Sequence, residues 1–459
     1  MQHKATLAPF LRSFLLLIAL TPALCFPALA QDDPDTPAGW GGYCDQAYDD
    51  SGALIQATAF GSTGQLVSVQ RSLDHGQTWT TLFMGGVESL TGQIFFIRHI
   101  SLDLAYDIST PALDDRVFVC IAGTEFDKRG NEKAFVGVLS GSSTTTWPTI
   151  GTSETCTRVL PIQPFIPPLQ TMNDAHTSVA VMPNPKGTDY IVGVAYTYPE
   201  WLSPYAPDNS IYLGYSLDHG ASFPIDYNFQ VTGRHGELDR VHADCGHPSM
   251  VFDRVNQTWL MAYHGTEYTQ QDVVVCRANP FAHSKGKGSI HMVYQGNQSN
   301  TGSKVEQHHP VIATDNNIVV FTCLTGNPNP KDGSYRLTAF WGSAFTLPWE
   351  DAFLEVNDFL WMRRGFHDKA VSAADLDLRG DTLHFTANCI VDPNGASPGT
   401  GILQFTSDMI FPSESTVMQV NDHPVKNNSP APKISATDSA PFFESVVYSD
   451  INMDLWLDM

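Results

Sequence analysis

The sequence has few basic residues. It contains 25 lysines and arginines against 48 aspartates and glutamates, which gives a formal net charge of −23 at pH 7. Such a surface repels the phosphate backbone of DNA and RNA, so the composition excludes nucleic acid as a general partner. It does not exclude a small anionic ligand, because a local group of arginines can bind a carboxylate whatever the charge of the whole chain.

Long apolar runs are missing as well. The most apolar stretch is the short "SFLLLIAL" near the N-terminus, which follows basic residues and is soon interrupted by prolines. It is too short for a membrane span, and Ala28 and Ala30 form the small-x-small site of a secretory signal. The sequence therefore predicts a signal peptide over 1–30. It also predicts a single domain over 31–459 that is secreted or periplasmic, monomeric and free of membrane contact.

Cysteine is too scarce for a network of cross-links. Of the eight cysteines, Cys25 lies in the predicted signal peptide, and the odd number that remains requires at least one thiol outside an internal disulfide. We predict a disulfide between Cys120 and Cys156, as exported proteins allow. Cys323 and Cys389 stand in apolar, strand-like runs, and we expect both to be buried and unpaired.

Two common functional motifs are absent. The sequence contains neither a glycine-rich phosphate loop nor a G-x-S-x-G elbow. This excludes the nucleotide-binding and esterase classes that these motifs mark. The stretch "HADCGH" places His242, Asp244 and His247 at a spacing that matches no strong zinc pattern. We therefore predict no cofactor and assign no metal ligand, and a calcium or zinc ion in a central cavity stays an open alternative.

The rest of the chain consists of short runs of β-branched and aromatic residues, separated by glycine, proline, asparagine and aspartate. No long stretch has helical periodicity, so the pattern predicts an all-β protein. Seven similar units follow one another, each with a strand, a tight turn and a second, more apolar strand. At about 61 residues each, they have room for four antiparallel strands, which predicts a seven-bladed β-propeller. The last unit lacks a fourth strand, so we expect the C-terminal segment to pair with N-terminal residues.

Two short segments are near copies of each other. "SLDHGQTW" spans residues 72–79 and "SLDHGASF" spans residues 216–223. Both resemble the Asp-box, S-x-D-x-G-x-T-W, of the sialidase-like, BNR-repeat β-propellers. The resemblance implies a turn between the third and fourth strands of a blade, on the face away from the ligand. In such a turn Ser72 and Asp74 can bond backbone amides and Gly76 can take a positive φ. We therefore interpret the segment as structural.

The resemblance fails at the position where sialidases bind their substrate. Those enzymes place an arginine in an "RIP"-like sequence at the start of the first blade, whereas the corresponding stretch here is "GGYCDQAYDD", without arginine. The first member of the arginine triad that binds sialate is missing. The sequence therefore disfavours a true sialidase.

Histidine recurs where the predicted blades begin. The first strand of a propeller blade starts at the mouth of the central cavity, so residues just before it converge on the usual binding face. In five of the seven units that position holds a histidine, namely His99, His176, His247, His309 and His367. These histidines can serve as acid–base groups or metal ligands. Alternatively, they only fill the crowded neck of the cavity.

Other candidate residues lie in loops on the same predicted face. Arginines can hold the carboxylate of an acidic sugar, and acidic or aromatic side chains can bind sugar hydroxyls and ring faces. As catalytic residues we predict His176, His247, His264 and Tyr198. As substrate-binding residues we predict Arg98, His99, Arg240, His309, Arg364, His367, Glu125 and Tyr263.

Histidine, tyrosine and arginine on this face of a seven-bladed propeller also look like the sites of polysaccharide lyases that cleave uronic-acid glycans. By that analogy the protein acts on carbohydrate, as a hydrolase or as a uronate-type lyase. In a lyase, arginine neutralises the uronate carboxylate while histidine or tyrosine removes the proton from C5. A lectin or surface-interaction module, which binds glycan on the same face without cleaving it, is the alternative.

Overall fold

The structure is a computed structural model of the chain. It describes residues 37–40, 43–49, 51–60, 66–89, 92–105, 116–127, 130, 132–147, 154–160, 176–185, 189–203, 206–232, 243–267, 270–280, 289–295, 306–315, 318–326, 336–343, 354–356, 371–379, 382–391, 399–408, 416–419, 433–436, 444–449 and 454–458. The signal peptide predicted over 1–30 lies outside the described residues.

The described chain is built from β-strands. In order they are β1 (Pro37–Trp40), β2 (Tyr43–Tyr48), β3 (Leu54–Phe60), β4 (Leu66–Ser72), β5 (Thr80–Ser89), β6 (Gly92–Ala105), β7 (Arg116–Asp127), β8 (Glu132–Ser142), β9 (Glu154–Thr155), β10 (Thr157–Arg158), β11 (Thr177–Pro183), β12 (Tyr190–Ser203), β13 (Ala206–Ser216), β14 (Asn228–Gln230), β15 (Ala243–Asp253), β16 (Thr258–Glu267), β17 (Gln270–Asn279), β18 (Ser289–Gln295), β19 (Glu306–Asp315), β20 (Ile318–Gly326), β21 (Arg336–Ser343), β22 (Leu354–Val356), β23 (Val371–Arg379), β24 (Thr382–Val391), β25 (Gly399–Asp408), β26 (Thr416–Gln419), β27 (Lys433–Ala436), β28 (Glu444–Ser449) and β29 (Asp454–Asp458). One 3-10 turn, Ile225–Tyr227, precedes β14, and the residues that the structure describes include no α-helix. The all-β prediction is confirmed.

The strands form antiparallel groups of four. The first two groups are joined in one nine-stranded sheet, which also includes the short β9, paired in parallel with β5. β2 to β5 form the first group, and β6, β7, β8 and β10 form the second, which joins the edge of β5 through Glu88 and Gln93. The groups β11–β14, β15–β18, β19–β22 and β23–β26 follow. Within each group, strands that are consecutive in sequence are neighbours in the sheet, as hairpin connections require.

The first strands of successive groups pack side by side. β2 contacts β6, β6 contacts β11 and β11 contacts β15, and the series continues through β19, β23 and β27 back to β2. The last group, β27 to β29, is completed by β1, with Asp454 opposite Trp40 and Trp456 opposite Pro37. The expected pairing between the C-terminal segment and N-terminal residues is therefore confirmed. It covers a sheet edge that would otherwise be exposed.

Strand β7 illustrates how the sequence specifies packing on both faces of a sheet. Its run "VFVCIA" is buried throughout, but the side chains alternate between two hydrophobic clusters. Val117, Val119 and Ile121 face the cluster shared with the first group, whereas Phe118 and Cys120 face the cluster shared with β11 and β12. Period-two alternation with both faces apolar is what a sheet between two other sheets requires.

The predicted disulfide between Cys120 and Cys156 is wrong. Cys120 packs in the cluster on one face of β7, and Cys156 packs in the cluster on the other face, so the sheet separates the two sulfur atoms. The Cys120 Sγ instead lies 2.8 Å from the hydroxyl of Thr177, and burial raises the pKa of the Cys120 thiol to about 12. Cys323 is buried as expected, and the side chain of Cys389 lies outside the described residues.

The two copied segments form the same turn. In each, a serine hydroxyl accepts a bond from the glycine amide, at 2.6 Å for Gly76 and 2.8 Å for Gly220. The Asp74 carboxylate accepts bonds from the Thr78 amide and hydroxyl at 2.7 and 2.5 Å. Partial burial acts to raise the pKa of Asp74, but the bonds from Thr78 and Ser72 outweigh it and lower that pKa below its usual value. Both turns connect third and fourth strands, β4 to β5 and β13 to β14.

No helix among the residues that the structure describes is long and apolar enough to cross a membrane.

Candidate functional site

Five histidines come together where the first strands of neighbouring groups meet. We call them the histidine cluster: His99, His176, His247, His264 and His309. His99 lies in β6, His176 directly precedes β11, His247 lies in β15, and His309 lies in β19. His264 comes from β16, the second strand of its group. Sequence reasoning therefore identified residues that are far apart in the chain and adjacent in the fold.

The cluster is a chain of touching imidazole rings. The ring centroids of His99 and His176 are 4.9 Å apart, and those of His176 and His247 are only 3.5 Å apart at an interplanar angle of 40°. His247 also contacts His309, edge to face at 3.9 Å, and His264 at 4.9 Å. His247 is thus the centre of the cluster, with three imidazole neighbours.

Backbone irregularities direct these side chains into the cluster. Each of β6, β15 and β19 has a register shift at its histidine: between Phe95 and His99, between Gly246 and Ser249, and between His308 and Val311. His247 and His309 also adopt left-handed backbone conformations, with φ of 51° and 48°. A bulge turns a side chain out of its regular alternation, and such features concentrate at functional sites.

The surroundings of His247 favour its neutral form. Burial first, and then the nearby imidazoles of His176, His309, His264 and His99, hold the pKa of His247 well below its usual value. A second positive charge in the cluster would be repelled by the first. At neutral pH His247 is therefore an unprotonated imidazole, which is the form that can accept a proton.

Two cluster rings accept hydrogen bonds from backbone amides of the next strand group. The Thr177 amide donates to Nδ1 of His99 at 3.3 Å. The His309 amide donates to Nδ1 of His264 at 3.3 Å. These bonds fix the orientation of both rings and connect neighbouring sheets. Neither Thr177 nor the His309 backbone was identified from sequence, because nothing in a local pattern reveals a contact between distant strands.

Three other predicted site residues have described side chains. None of them takes part in the contacts of the histidine cluster given above. Glu125 is buried and forms an ion pair with Arg158, whose guanidinium lies 4.9 Å above the ring of Phe135. Tyr198 is buried, and its ring packs edge-on against Tyr212 at 5.7 Å. Tyr263 is fully buried in the hydrophobic cluster between the β11 and β15 groups.

The remaining predicted site residues are not described in full. Arg98 lies in β6, but its side chain is outside the described residues, as are Arg240, Arg364 and His367. Next to the cluster, the exposed Asp244 accepts a hydrogen bond from the Asn209 side chain at 2.9 Å. Within the described ranges, no group of three or more histidine, cysteine or acidic side chains is arranged to hold a metal ion.

No protein-family model matches the sequence, and no curated protein matches it either. Solved structures do resemble it. A polysaccharide lyase of family PL25, an ulvan lyase bound to a GlcA(1-4)Rha3S glycan, superimposes with a TM-score of 0.50 at 8% identity, covering 92% of this chain and 94% of that one. At that identity the likeness shows the fold alone.

Two weaker structural matches are enzymes of other kinds. The GH93 α-L-arabinofuranosidase of Fusarium graminearum gives a TM-score of 0.42 at 12% identity, covering 92% of this chain and 94% of that one. A Hadza microbial sialidase gives a TM-score of 0.41 at 11% identity and 91% coverage of this chain. The present chain spans 65% of that sialidase.

Proposed function

We propose that residues 31–459, exported after removal of a signal peptide, form a single seven-bladed β-propeller of the sialidase-like kind that cleaves glycans. The antiparallel four-stranded groups and the series of first strands that returns to β2 support this architecture. The histidine cluster, built on those first strands, then lies at the mouth of the central cavity. The reaction that best suits it is β-elimination on a glycan that contains uronic acid.

The observation that carries the proposal is the close contact between His247 and His176, whose ring centroids are 3.5 Å apart. Burial and the surrounding imidazoles hold the pKa of His247 well below its usual value, which favours its neutral form. A neutral imidazole is a competent general base near neutral pH, and a second imidazole at van der Waals distance can act as the acid or take over the proton. The fold that the chain shares with an ulvan lyase is consistent with this chemistry.

The elimination needs three groups from the protein. His247 removes the proton on C5 of the uronate, and the electrons of that bond form a double bond between C4 and C5. The bond from C4 to the glycosidic oxygen breaks, and this oxygen takes a proton from the acid, to which His176 is assigned. Arg98, Arg240 and Arg364 are the candidates to neutralise the uronate carboxylate, which makes its C5 proton acidic.

A carboxylate mechanism has less support. A retaining glycosidase needs two carboxyl groups about 5 Å apart. Glu125 is engaged by Arg158, and Asp244 is exposed and bonded to Asn209. The acidic side chains described near the predicted face therefore have other partners, whereas the imidazoles contact one another.

The test is incubation of the purified chain with uronic-acid and neutral glycans, read by new reducing ends and by the ultraviolet absorbance of unsaturated products. We expect absorbance to rise on a uronate substrate. His176→Ala and His247→Ala should lower the rate by about 10²–10⁴-fold, and His219→Ala, in an exposed turn, is the matched control. Reducing ends without absorbance would indicate a hydrolase, and binding without products a lectin. Full turnover by both cluster variants would refute the site.

A further inference from the structure

The histidine cluster contains two kinds of imidazole. His99 and His264 each receive a backbone N–H at Nδ1, from Thr177 and His309 respectively, both at 3.3 Å. An atom that accepts a hydrogen bond from an amide must present its lone pair. Both rings are therefore neutral tautomers with Nδ1 unprotonated and the proton on Nε2.

Protonation would cost each of these two rings its hydrogen bond from the backbone amide. Protonation of Nδ1 would turn it into a second N–H group facing the amide, and the hydrogen bond would be lost. The Thr177 amide begins a buried strand, so it would be left without its acceptor, which is unfavourable in the protein interior. For His264 the geometry adds a constraint, because a side-chain carbon at Gly246 would lie only 3.3 Å from its Nε2. Glycine leaves that edge of the ring room for its N–H.

His176 and His247 lie between the two amide-bonded rings. Their ring centroids are 3.5 Å apart, the shortest separation in the cluster. His99 contacts His176 from one side, and His264 and His309 contact His247 from the other. The titratable groups that bear on His247 are thus imidazoles from β6, the start of β11, β16 and β19. The exposed Asp244 of its own strand is bonded to Asn209.

We propose that His99 and His264 are positioning residues, locked by backbone amides as neutral Nε2–H tautomers, and that the proton handled by the cluster is confined to His176, His247 and His309. The locked rings have Nε2–H available as a donor but do not accept the transferred proton. They keep His247 oriented as the base and limit the cluster to a single added charge. The inference rests on the proposed function only for the source of that proton.

The tautomers can be measured without a substrate. In the full mature chain labelled with ¹⁵N-histidine, the imidazole nitrogens report by NMR which of them carries a proton, and the single variants His99→Asn and His264→Asn assign the signals. As the pH is lowered, we expect His99 and His264 to stay neutral with the proton on Nε2 while one proton enters the set His176, His247 and His309. The same protein unfolded in urea serves as the reference.

A matched pair of variants separates positioning from packing. His264→Asn keeps an acceptor close to the position of Nδ1, whereas His264→Leu fills the space without one. We expect the leucine variant to have the lower Tm, and the pH at which His247 takes up its proton to shift further in leucine than in asparagine. A merely structural role would change Tm and leave the titration of His247 in place, and that result would overturn the proposal.

Two NMR results would also overturn the proposal. A proton found on Nδ1 of His264 or His99 at neutral pH contradicts the lock. So does conversion of either ring to imidazolium before His176, His247 or His309 takes up a proton. Failure of the proposed function is a different outcome: no glycan would be cleaved, yet the tautomers and the titration order would still be as stated.

Discussion

Replacing left-handed histidines by glycine separates backbone strain from ring contacts. Four histidines have φ between 48° and 61°, namely His75 and His219 in the two copied turns and His247 and His309 in the cluster. A left-handed conformation costs a residue other than glycine roughly 1–2 kcal/mol. Glycine avoids this strain, but its unfolded chain has more conformational freedom, which reduces the gain in stability by about 0.4–1 kcal/mol. Before the loss of its ring contact is counted, glycine at the exposed His219 should therefore stabilise the fold by up to about 1.6 kcal/mol.

The same change at His247 removes ring contacts as well. His247 touches three imidazoles, at 3.5, 3.9 and 4.9 Å. His219 touches one ring, that of Tyr190 at 4.8 Å, and its contact with Asp189 is largely exposed, where an ion pair contributes little. Strain is common to both sites and cancels in the comparison. The excess of two ring contacts, each about 0.5–1.5 kcal/mol, leaves His247→Gly less stable than His219→Gly by about 1–3 kcal/mol.

The assay is urea unfolding of the mature chain, with both variants and the parent measured side by side. Glycan turnover or binding is measured on the folded proteins, where His219→Gly should match the parent and His247→Gly should not. If His247→Gly were as stable as His219→Gly, the ring contacts would contribute nothing to the fold. The cluster would then not be a packed unit, and the reasoning from its geometry would fail.

Four further outcomes follow from the fold. Asp74→Ala should cost about 0.5–1.5 kcal/mol of unfolding free energy, because its bonds from Thr78 are exposed. Glycan affinity should be unchanged, since the turn lies away from the cluster; loss of affinity at full stability would contradict this. Because the pKa of Asp74 is lowered in the folded state, its contribution is present above the unfolded value of about 3.9 and is lost as the pH falls below it, so Asp74→Asn should flatten the acid limb of a stability profile. Gly141→Ala should destabilise strongly, because its new carbon would meet Trp147 at 1.9 Å; a near-neutral effect would show that the tryptophan can move. Alkylation in denaturant without reductant, followed by mass spectrometry, should label Cys120 and Cys156 as thiols, since both are buried in the folded protein, and an intact bridge would contradict the packing.

Much of the fold could be predicted because alternation and turn chemistry are local. The copied "SLDHG" segments form their turns through bonds that span at most four residues, so the pattern alone contains the necessary partners. The recurrence of histidine at first strands also predicted the cluster, because strands at equivalent places in repeated units meet. Both inferences need only the sequence and the repetition of its units.

Partners across the fold could not be predicted in this way. The pairing of Glu125 with Arg158 could not be read from a local pattern, because the two residues are 33 positions apart and lie on different strands. The assignment of Glu125 to substrate binding stays a prediction. Tyr263 is an instructive case, since it neighbours His264 and the two were assigned to one site. In β16, Trp259, Met261 and Tyr263 pack in one cluster, while Leu260 and Ala262 pack in the cluster on the other face. Strand alternation therefore separates Tyr263 from His264, and a stricter use of period two would have predicted it.

The cluster has a signal in the sequence that reasoning from histidine alone did not use. His247 and His309 are each followed by proline, in "GHPS" and "HHPV". Proline has no N–H for a ladder bond, so within a sheet it is confined to edges, strand starts and bulges. Both dipeptides coincide with a register shift, between Gly246 and Ser249 in β15 and between His308 and Val311 in β19. The missing N–H accounts for the interrupted ladder at both places. Proline itself favours an extended conformation in the residue before it, so the left-handed φ of His247 and His309 is held against that preference by their surroundings. His-Pro at the start of a first strand thus marks the position of a bulge, which histidine at the same place cannot do by itself.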